Sequence, residues 1–277
     1  MTSELLDLAR TIAIEAGELA ARRRGQGVEI AATKSTIVDV VTEADREVEL
    51  LIRQRINDAR PLDAILGEEG GAASGSSGVT WVVDPIDGTV NYLYGIPHYA
   101  ISIAVVEGEP DPLTWNSLAG CVLNPATAEL FSAARGSGAF RASGGGGAAP
   151  IRTAEPVPLE LALINTGFAY NATTRGRQGE VVTKLLPMVR DIRRMGTASL
   201  DLCMVASGRT NAYFERTLSP WDHAAGAIIA REAGAVVKGF GAAAPSRDFI
   251  LAAEPILAAR LEPLLIELGV RFELPTS

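Results

Sequence analysis

The chain has 277 residues, 47% of them apolar, enough to bury one large or two ordinary cores without disulfide or metal staples. A formal charge of −8 argues against the basic surface that nucleic-acid binders carry, so an anionic substrate would need bound cations to neutralise it. The two cysteines, Cys121 and Cys203, lack metal-ligand spacing; core thiols in a reducing, cytoplasmic setting are the expectation.

Leu5, Leu8, Ile12, Ala16 and Leu19 share one helical face, with Glu4, Asp7, Glu15 and Glu18 among them, which predicts a surface helix from Leu5 to Ala20 and neither a signal peptide nor a membrane span. Thr42-Glu43-Ala44-Asp45 reads as a capping sequence for a helix through Val48, Leu51, Ile52 and Ile56 that stops before Pro61. Ile65 to Gly70 ends a short apolar run in the paired acids Glu68 and Glu69, and the small, polar run Gly71 to Gly78 predicts a mobile loop. Strands are expected at Trp81–Val83, Tyr99–Val106, Ser117–Leu123 and Glu129–Ala134, giving an antiparallel-leaning sheet.

The glycine run from Ser143 to Pro150 is either the boundary between two subdomains, 1–147 and 148–277, or a hairpin tip, and it lacks the Lys-Ser/Thr ending of a P-loop. Beyond it the pattern alternates. Strands are expected at Leu161–Asn165, Ile192, Ala212–Phe214, Ala235–Val237 and Phe249–Ala252. Helices are expected at Glu180–Val189, Ser199–Ala206, Asp222–Ala233 and Pro255–Leu268, so the second half has α/β character beside an α+β first half.

The most informative stretch is Trp81-Val82-Val83-Asp84-Pro85-Ile86-Asp87-Gly88-Thr89, where an apolar strand runs into two carboxylates and a glycine-hydroxyl turn. Asp84 and Asp87 offer the oxygens a hard cation such as Mg²⁺ requires, and a bend at Pro85 can leave the Ile86 carbonyl unpaired and pointing inward. Gly88 permits close backbone approach, and Thr89 offers a hydroxyl and an N–H to an anion. Each acid also has a plain structural reading. Asp-Pro-x-Asp-Gly is ordinary turn composition, Glu68-Glu69 alone reads as a solvated turn, Asp222 suits an N-cap for the helix at Ala224 and Ile228, and Asp45 suits reciprocal capping with Thr42. Those readings do not address why four acid sites recur at strand ends and helix starts, where loops converge into a cleft.

Taken together these residues resemble the inositol monophosphatase family of Mg²⁺-dependent, lithium-sensitive sugar-phosphate phosphatases. The resemblance covers nearly the whole chain: Lys34, Asp39 to Asp45, Gly67-Glu68-Glu69, Trp81 to Thr89 with Asn91-Tyr92, Gly136 to Phe140, Gly196-Thr197-Ala198, Ala212 to Glu215, Trp221 to Gly226 and Glu232 to Ala235. It implies a layered α-β-α-β-α sandwich of two subdomains with the site between them, and a homodimer. By resemblance, Glu68, Asp84, Asp87, Asp222 and the Ile86 carbonyl are the ligands of a site for two or three Mg²⁺ ions. Asp45 and Thr89 are the pair that activates water. Gly88 and Thr89 hold the phosphate, while Gly196, Thr197, Ala198, Glu215 and Asp222 face the sugar hydroxyls. Lys34 is a loop residue near the phosphate.

The segment Cys203 to Arg209 formally fits the Cys-x5-Arg pattern of cysteine phosphatases, but Leu200, Met204 and Ser207 share a helical stripe, and a buried thiol is inert. His98 and His223 are too few for a histidine-rich dinuclear centre. A regulatory protein on the same fold would be expected to have a broken ligand set, and here every matching acid is present. Glu215 resembles the family's contact to an inositol hydroxyl, which implies inositol monophosphate over fructose 1,6-bisphosphate or histidinol phosphate, although Arg175 and Arg177 could admit a second phosphate. The expected partner is thus a small phosphate monoester, with no nucleic acid and no membrane.

Overall fold

The computed structural model describes residues 2–28, 30–33, 40–144 and 146–274; Lys34 and Asp39 lie outside them. Helix α1 (Thr2–Gln26) buries Leu5, Ile12 and Ala16 as expected, while the centre of its buried side runs through Ala9 and Ala20, leaving Leu8 and Leu19 at its partly buried edge. It continues past Ala20 because nothing there breaks a helix, and Arg23 and Arg24 in its last turn suit the negative end of the helix dipole. A short antiparallel pair, β1 (Ile30–Thr33) and β2 (Val40–Thr42), leads into α2 (Glu43–Ala59). The predicted capping box is present, with Thr42 and Asp45 each bonding the other's backbone N–H, a device worth about 1 kcal/mol. The helix ends at Arg60, where the following proline disfavours a further helical residue.

The larger sheet comprises β3 (Ala64–Gly67), β4 (Gly71–Ala73), β5 (Val79–Asp87), β6 (Ala100–Glu107), β7 (Asn116–Asn124), β8 (Glu129–Ala134), β9 (Ala139–Ser143) and β10 (Ala149–Ile151), with the short helix α3 (Thr89–Tyr94) between β5 and β6. Its spatial order is β10-β9-β8-β7-β6-β5-β3-β4, and every pair is antiparallel except β3 with β5. Strict alternation assigns the two faces: Trp81, Val83, Ile101 and Ile103 pack against α1 and α2, while Val82, Ala104 and Val106 face the other way. On that second face Gly120 is required, since a Cβ there would sit 2.5 Å from Ile228 Cγ2 and 2.8 Å from the Ala225 carbonyl oxygen.

The smaller sheet has the order β12-β11-β13-β15-β14, from β11 (Leu163–Thr166), β12 (Asp191–Arg193), β13 (Ala212–Glu215), β14 (Val236–Lys238) and β15 (Ile250–Ala253). Here β11 runs parallel to both β12 and β13, and β15 antiparallel to β13 and β14. Helices α5 (Ala198–Ala206) and α6 (Pro220–Glu232) lie between the sheets, where Leu202, Ala225 and Ile229 meet Val82 and Val122 on one side and Tyr213 and Ala252 on the other. Helices α4 (Ala172–Leu185) and α7 (Pro255–Glu267) cover the remaining face through Val181, Leu185, Leu257 and Leu261 against Phe214 and Leu251. The layers are therefore α-β-α-β-α, as the resemblance implied.

Several local expectations need correcting. Gly71 to Gly78 is not loop throughout: its first three residues are strand β4, paired edge-on to β3, and the N–H groups of Ser76 and Ser77 both donate to the Leu62 carbonyl, at 2.8 and 3.0 Å. For the glycine run after Ser143 the hairpin-tip alternative holds, since the flanking β9 and β10 are antiparallel partners, and the change from one sheet to the other falls between Ile151 and Leu163. Helix α4 begins at Ala172, earlier than expected, because Thr174, Gln178, Val181 and Leu185 form its buried stripe and its first half carries no large apolar residue. It stops at Leu185, where Pro187 turns the chain into a single 3-10 turn.

Candidate active site

Parallel neighbours bring their carboxyl ends together, and the register of Gly67 with Val83 sets Glu68 beside Asp84. The β5–β6 ladder slips between Asp84 and Asp87, a bulge that re-aims the acids around Pro85. Within it, Asp84 Oδ1 accepts the Ile86 N–H at 3.1 Å, and the Ile86 side chain is buried under α1 and α2. The Ile86 carbonyl is not unpaired as expected; it lies 3.1 Å from Thr89 Oγ1 and shares that hydroxyl's single proton with Asp45 Oδ1, also at 3.1 Å. Gly88, at φ +91°, brings Thr197 so close that a Cβ would lie 2.5 Å from Thr197 Oγ1.

Two acids serve as caps while also reaching the cleft. Asp45 gives Oδ2 to Thr42, whose N–H and Oγ1 donate at 2.8 and 2.5 Å, and Oδ1 to Thr89 Oγ1 at 3.1 Å. The structural and chemical readings of Asp45 are therefore both satisfied, one by each oxygen. Asp222 is not the N-cap of α6. Ser219 holds that place, and Asp222 stands three residues on, its Oδ2 accepting the Ser219 N–H at 2.7 Å in a capping box. From β6, Ser102 donates to the Trp221 carbonyl at 3.4 Å and ties this helix start to the strand beside Asp84.

Burial is the largest influence on these acids. Asp84 is pushed well above the usual carboxylate range by burial first and then by the charges of Glu68, Asp87 and Asp222. Asp222 is raised in the same way, by burial and by Glu68 and Asp87. Burial lifts Asp87 to about 6 against hydrogen bonds from Ser199, and Asp45 to about 6 against bonds from Thr42. Among the described residues no three Asp, Glu, His or Cys side chains converge on a common ion position. Asp45, Asp87 and Asp222 are instead turned onto protein donors, the arrangement mutual repulsion favours. An all-oxygen donor set in which buried aspartates stand close to other carboxylates suits a hard divalent cation, which would replace that repulsion with attraction.

The substrate-facing residues of the resemblance also arrive here, at the start of α5. Gly196 has φ +88°, and Thr197 Oγ1 donates to the His98 carbonyl at 2.9 Å. Asn91 fastens the same segment by donating to the carbonyls of His98 and Met195 at 2.7 and 2.8 Å. Ala198 opens the helix, and Glu215 stands at the end of β13, accepting the Tyr213 hydroxyl at 2.6 Å. Burial raises Glu215 to about 7, against the Tyr213 bond and the charge of Arg194.

Arg175 and Arg177 are occupied elsewhere. The first donates to the carbonyls of Ala169 and Tyr170 at 3.1 Å, and the second lies over the Phe272 ring. The cation that does act on the acids is Arg194, which bears on Glu215 and Asp201 and lies over Phe168. Sequence reasoning missed it, along with Ser199 and Glu49. Glu49 is buried on α2 and accepts the N–H groups of Glu69 and Gly70, each at 2.7 Å, which sets the turn carrying Glu68. The available signal was an acid on the flank of an apolar helix stripe, which more often marks a solvated face. Cys203 is buried with its thiol pushed well up, and Arg209 pairs with Glu129, so no cysteine-phosphate loop exists there.

The family model described as "Inositol monophosphatase family" matches residues 1–270. The chain belongs to the inositol monophosphatase family. Inositol-1-monophosphatase of Mycobacterium leprae is 44% identical over 250 residues, covering 85% of this chain and 83% of that one. A protein named Nus factor SuhB from Pseudomonas aeruginosa is 39% identical over 247 residues, 85% of each. The solved structure of Mycobacterium tuberculosis SuhB superposes with a TM-score of 0.82 at 39% identity, over 98% of this chain and 99% of that one. The family is one of metal-dependent phosphatases, and this member is a phosphoric monoester hydrolase. No helix among the described residues is long and apolar enough to cross a membrane.

Proposed function

We propose that the protein is a Mg²⁺-dependent, lithium-sensitive inositol-1-monophosphatase, acting in the cytoplasm as a homodimer. The observation that carries the reading is that Glu68 and Asp87 lie close enough to both Asp84 and Asp222 for their charges to raise the two aspartates, beside the Thr89–Asp45 hydrogen bond. Glu68, Asp84, the Ile86 carbonyl, Asp87 and Asp222 would hold the ions. When bound, such ions lower the pKa of water and neutralise phosphoryl oxygens.

The chain supplies the rest. Thr89 Oγ1, held 3.1 Å from Asp45 Oδ1, orients the attacking water, and Asp45 accepts the proton that water loses. Gly88 and Thr89 present backbone N–H groups to the phosphate, which gains little covalent help in a loose, in-line transfer and depends on positioning. Asp222 orients a second water that protonates the leaving alkoxide. Glu215, with Gly196, Thr197 and Ala198, receives the hydroxyls of the alcohol, a polyol face that favours inositol over a second phosphate.

The test is phosphate release from inositol 1-phosphate, fructose 1,6-bisphosphate and histidinol phosphate in parallel, with Mg²⁺ and with a chelator. Metal-dependent preference for inositol 1-phosphate is expected. Preference for another ester would replace the substrate, and the absence of metal-dependent release from all three would overturn the reading.

A further inference from the structure

We propose that Ser199 is a positioning residue for the metal site, fixing which oxygen of Asp87 meets the ion, and that Asp87 thereby also caps helix α5. The proposal rests on Asp87 being a metal ligand. Thr197 occupies the N-cap position of α5 in an extended conformation but makes no side-chain cap, because its hydroxyl is given to the His98 carbonyl at 2.9 Å. The first turn of a helix leaves N–H groups that need partners. Here they are met from the far end of β5: Asp87 Oδ2 accepts both the Ser199 N–H at 2.7 Å and the Ser199 hydroxyl at 2.6 Å.

Ser199 is fully buried, so its hydroxyl has no water to turn to. A carboxylate oxygen has two lone pairs, and two donors fill those of Oδ2. Oδ1 is then the oxygen presented to a cation, in one orientation. Without the hydroxyl, only the backbone N–H groups of Ser199 and Ala198 would hold the carboxylate, which could then turn more freely about χ2, a torsion with a broad well. The same bonds join the ion site to Gly196-Thr197-Ala198, so a cation that orders Asp87 also steadies the start of α5.

Mg²⁺ binding by isothermal titration calorimetry, on the full chain without substrate, tests this in Ser199→Ala beside Asp87→Asn. Ser199→Ala is expected to raise the Mg²⁺ dissociation constant about tenfold or more, the usual effect of removing a partner that orients a ligand. In the unsubstituted protein, saturating Mg²⁺ is expected to slow amide hydrogen exchange at Ala198 and Ser199, a readout that stands even if the variant fails to fold. Unchanged exchange there would overturn the proposal. So would wild-type Mg²⁺ affinity in Ser199→Ala: if Asp87→Asn binds weakly, only the role of Ser199 falls, and if Asp87→Asn also binds normally, the ligand reading of Asp87 falls with it.

Discussion

Thr89 Oγ1 donates to Asp45 Oδ1 at 3.1 Å and bridges the end of β5 to the first turn of α2. Asp45 holds its place for this contact because its other oxygen is fixed by Thr42. Thr89→Ala should lower kcat by about a hundredfold or more with little change in KM, the range for losing an acid–base partner. Thr89→Ser should retain most of the rate. Steady-state kinetics on both variants decide the point, and equal loss in the two would leave the hydroxyl without a role.

Asp84 is raised by burial and by three neighbouring carboxylates. Asp84→Asn should therefore do two opposite things: abolish metal-dependent turnover by about a hundredfold or more, and raise the thermal midpoint of the metal-free protein. Calorimetric melting with and without Mg²⁺ reads the second effect, which a mere packing defect would reverse.

The same crowding sets a pH dependence. Asp45 and Asp87 titrate near 6 and Glu215 near 7 in the folded protein, above their unfolded values. The folded state thus holds more protons than the unfolded chain between about pH 4 and 7, and stability must fall as pH rises through that window. Metal-free protein should melt at a higher temperature at about pH 5 than at about pH 8 from these groups, and saturating Mg²⁺ should remove or invert the trend. A metal-free midpoint that climbs over this range would contradict the burial of these acids as ionisable groups.

Gly120 lets α6 lie directly on β7, with no room for a Cβ between Ile228 and the Ala225 carbonyl. Gly120→Ala should cost about 1–3 kcal/mol through overpacking, lowering the midpoint by roughly 2–4 °C per kcal/mol in a chain of this size. Denaturant melts measure it; a neutral result would mean the helix moves freely off the sheet.

Both thiols are buried, and burial pushes Cys121 up to about 12 and Cys203 well above the usual thiol range. Iodoacetamide should leave phosphate release intact in the native protein, and Cys203→Ser should keep turnover near that of the parent. Loss of activity on alkylation, with the fold retained, would reopen a thiolate mechanism.

Much of this was legible along the chain. The strands from Trp81 to Ala134 alternate cleanly, α1 and α2 repeat at three and four, and the Thr42 capping box is local chemistry, so each is decided within a few residues. The short pieces were not legible. Strand β4 has only small residues, α3 is a single long turn, and the α4 stripe is built on Thr174 and Gln178, whose burial depends on what covers them.

The acids divide in the same way. Asp84, Asp87, Glu68 and Asp222 stand out in sequence as oxygen donors at strand ends and helix starts, because their type and setting are properties of the chain. Which oxygen does what is not such a property. That Asp45 splits its two oxygens between a cap and Thr89, that Glu49 fixes the Glu68 turn, and that Ser199 holds Asp87 are relations between residues far apart in sequence. Periodicity and capping are short-range and survive in one dimension, whereas hydrogen bonds across a buried cleft exist only once packing has excluded the water that would otherwise satisfy each group alone.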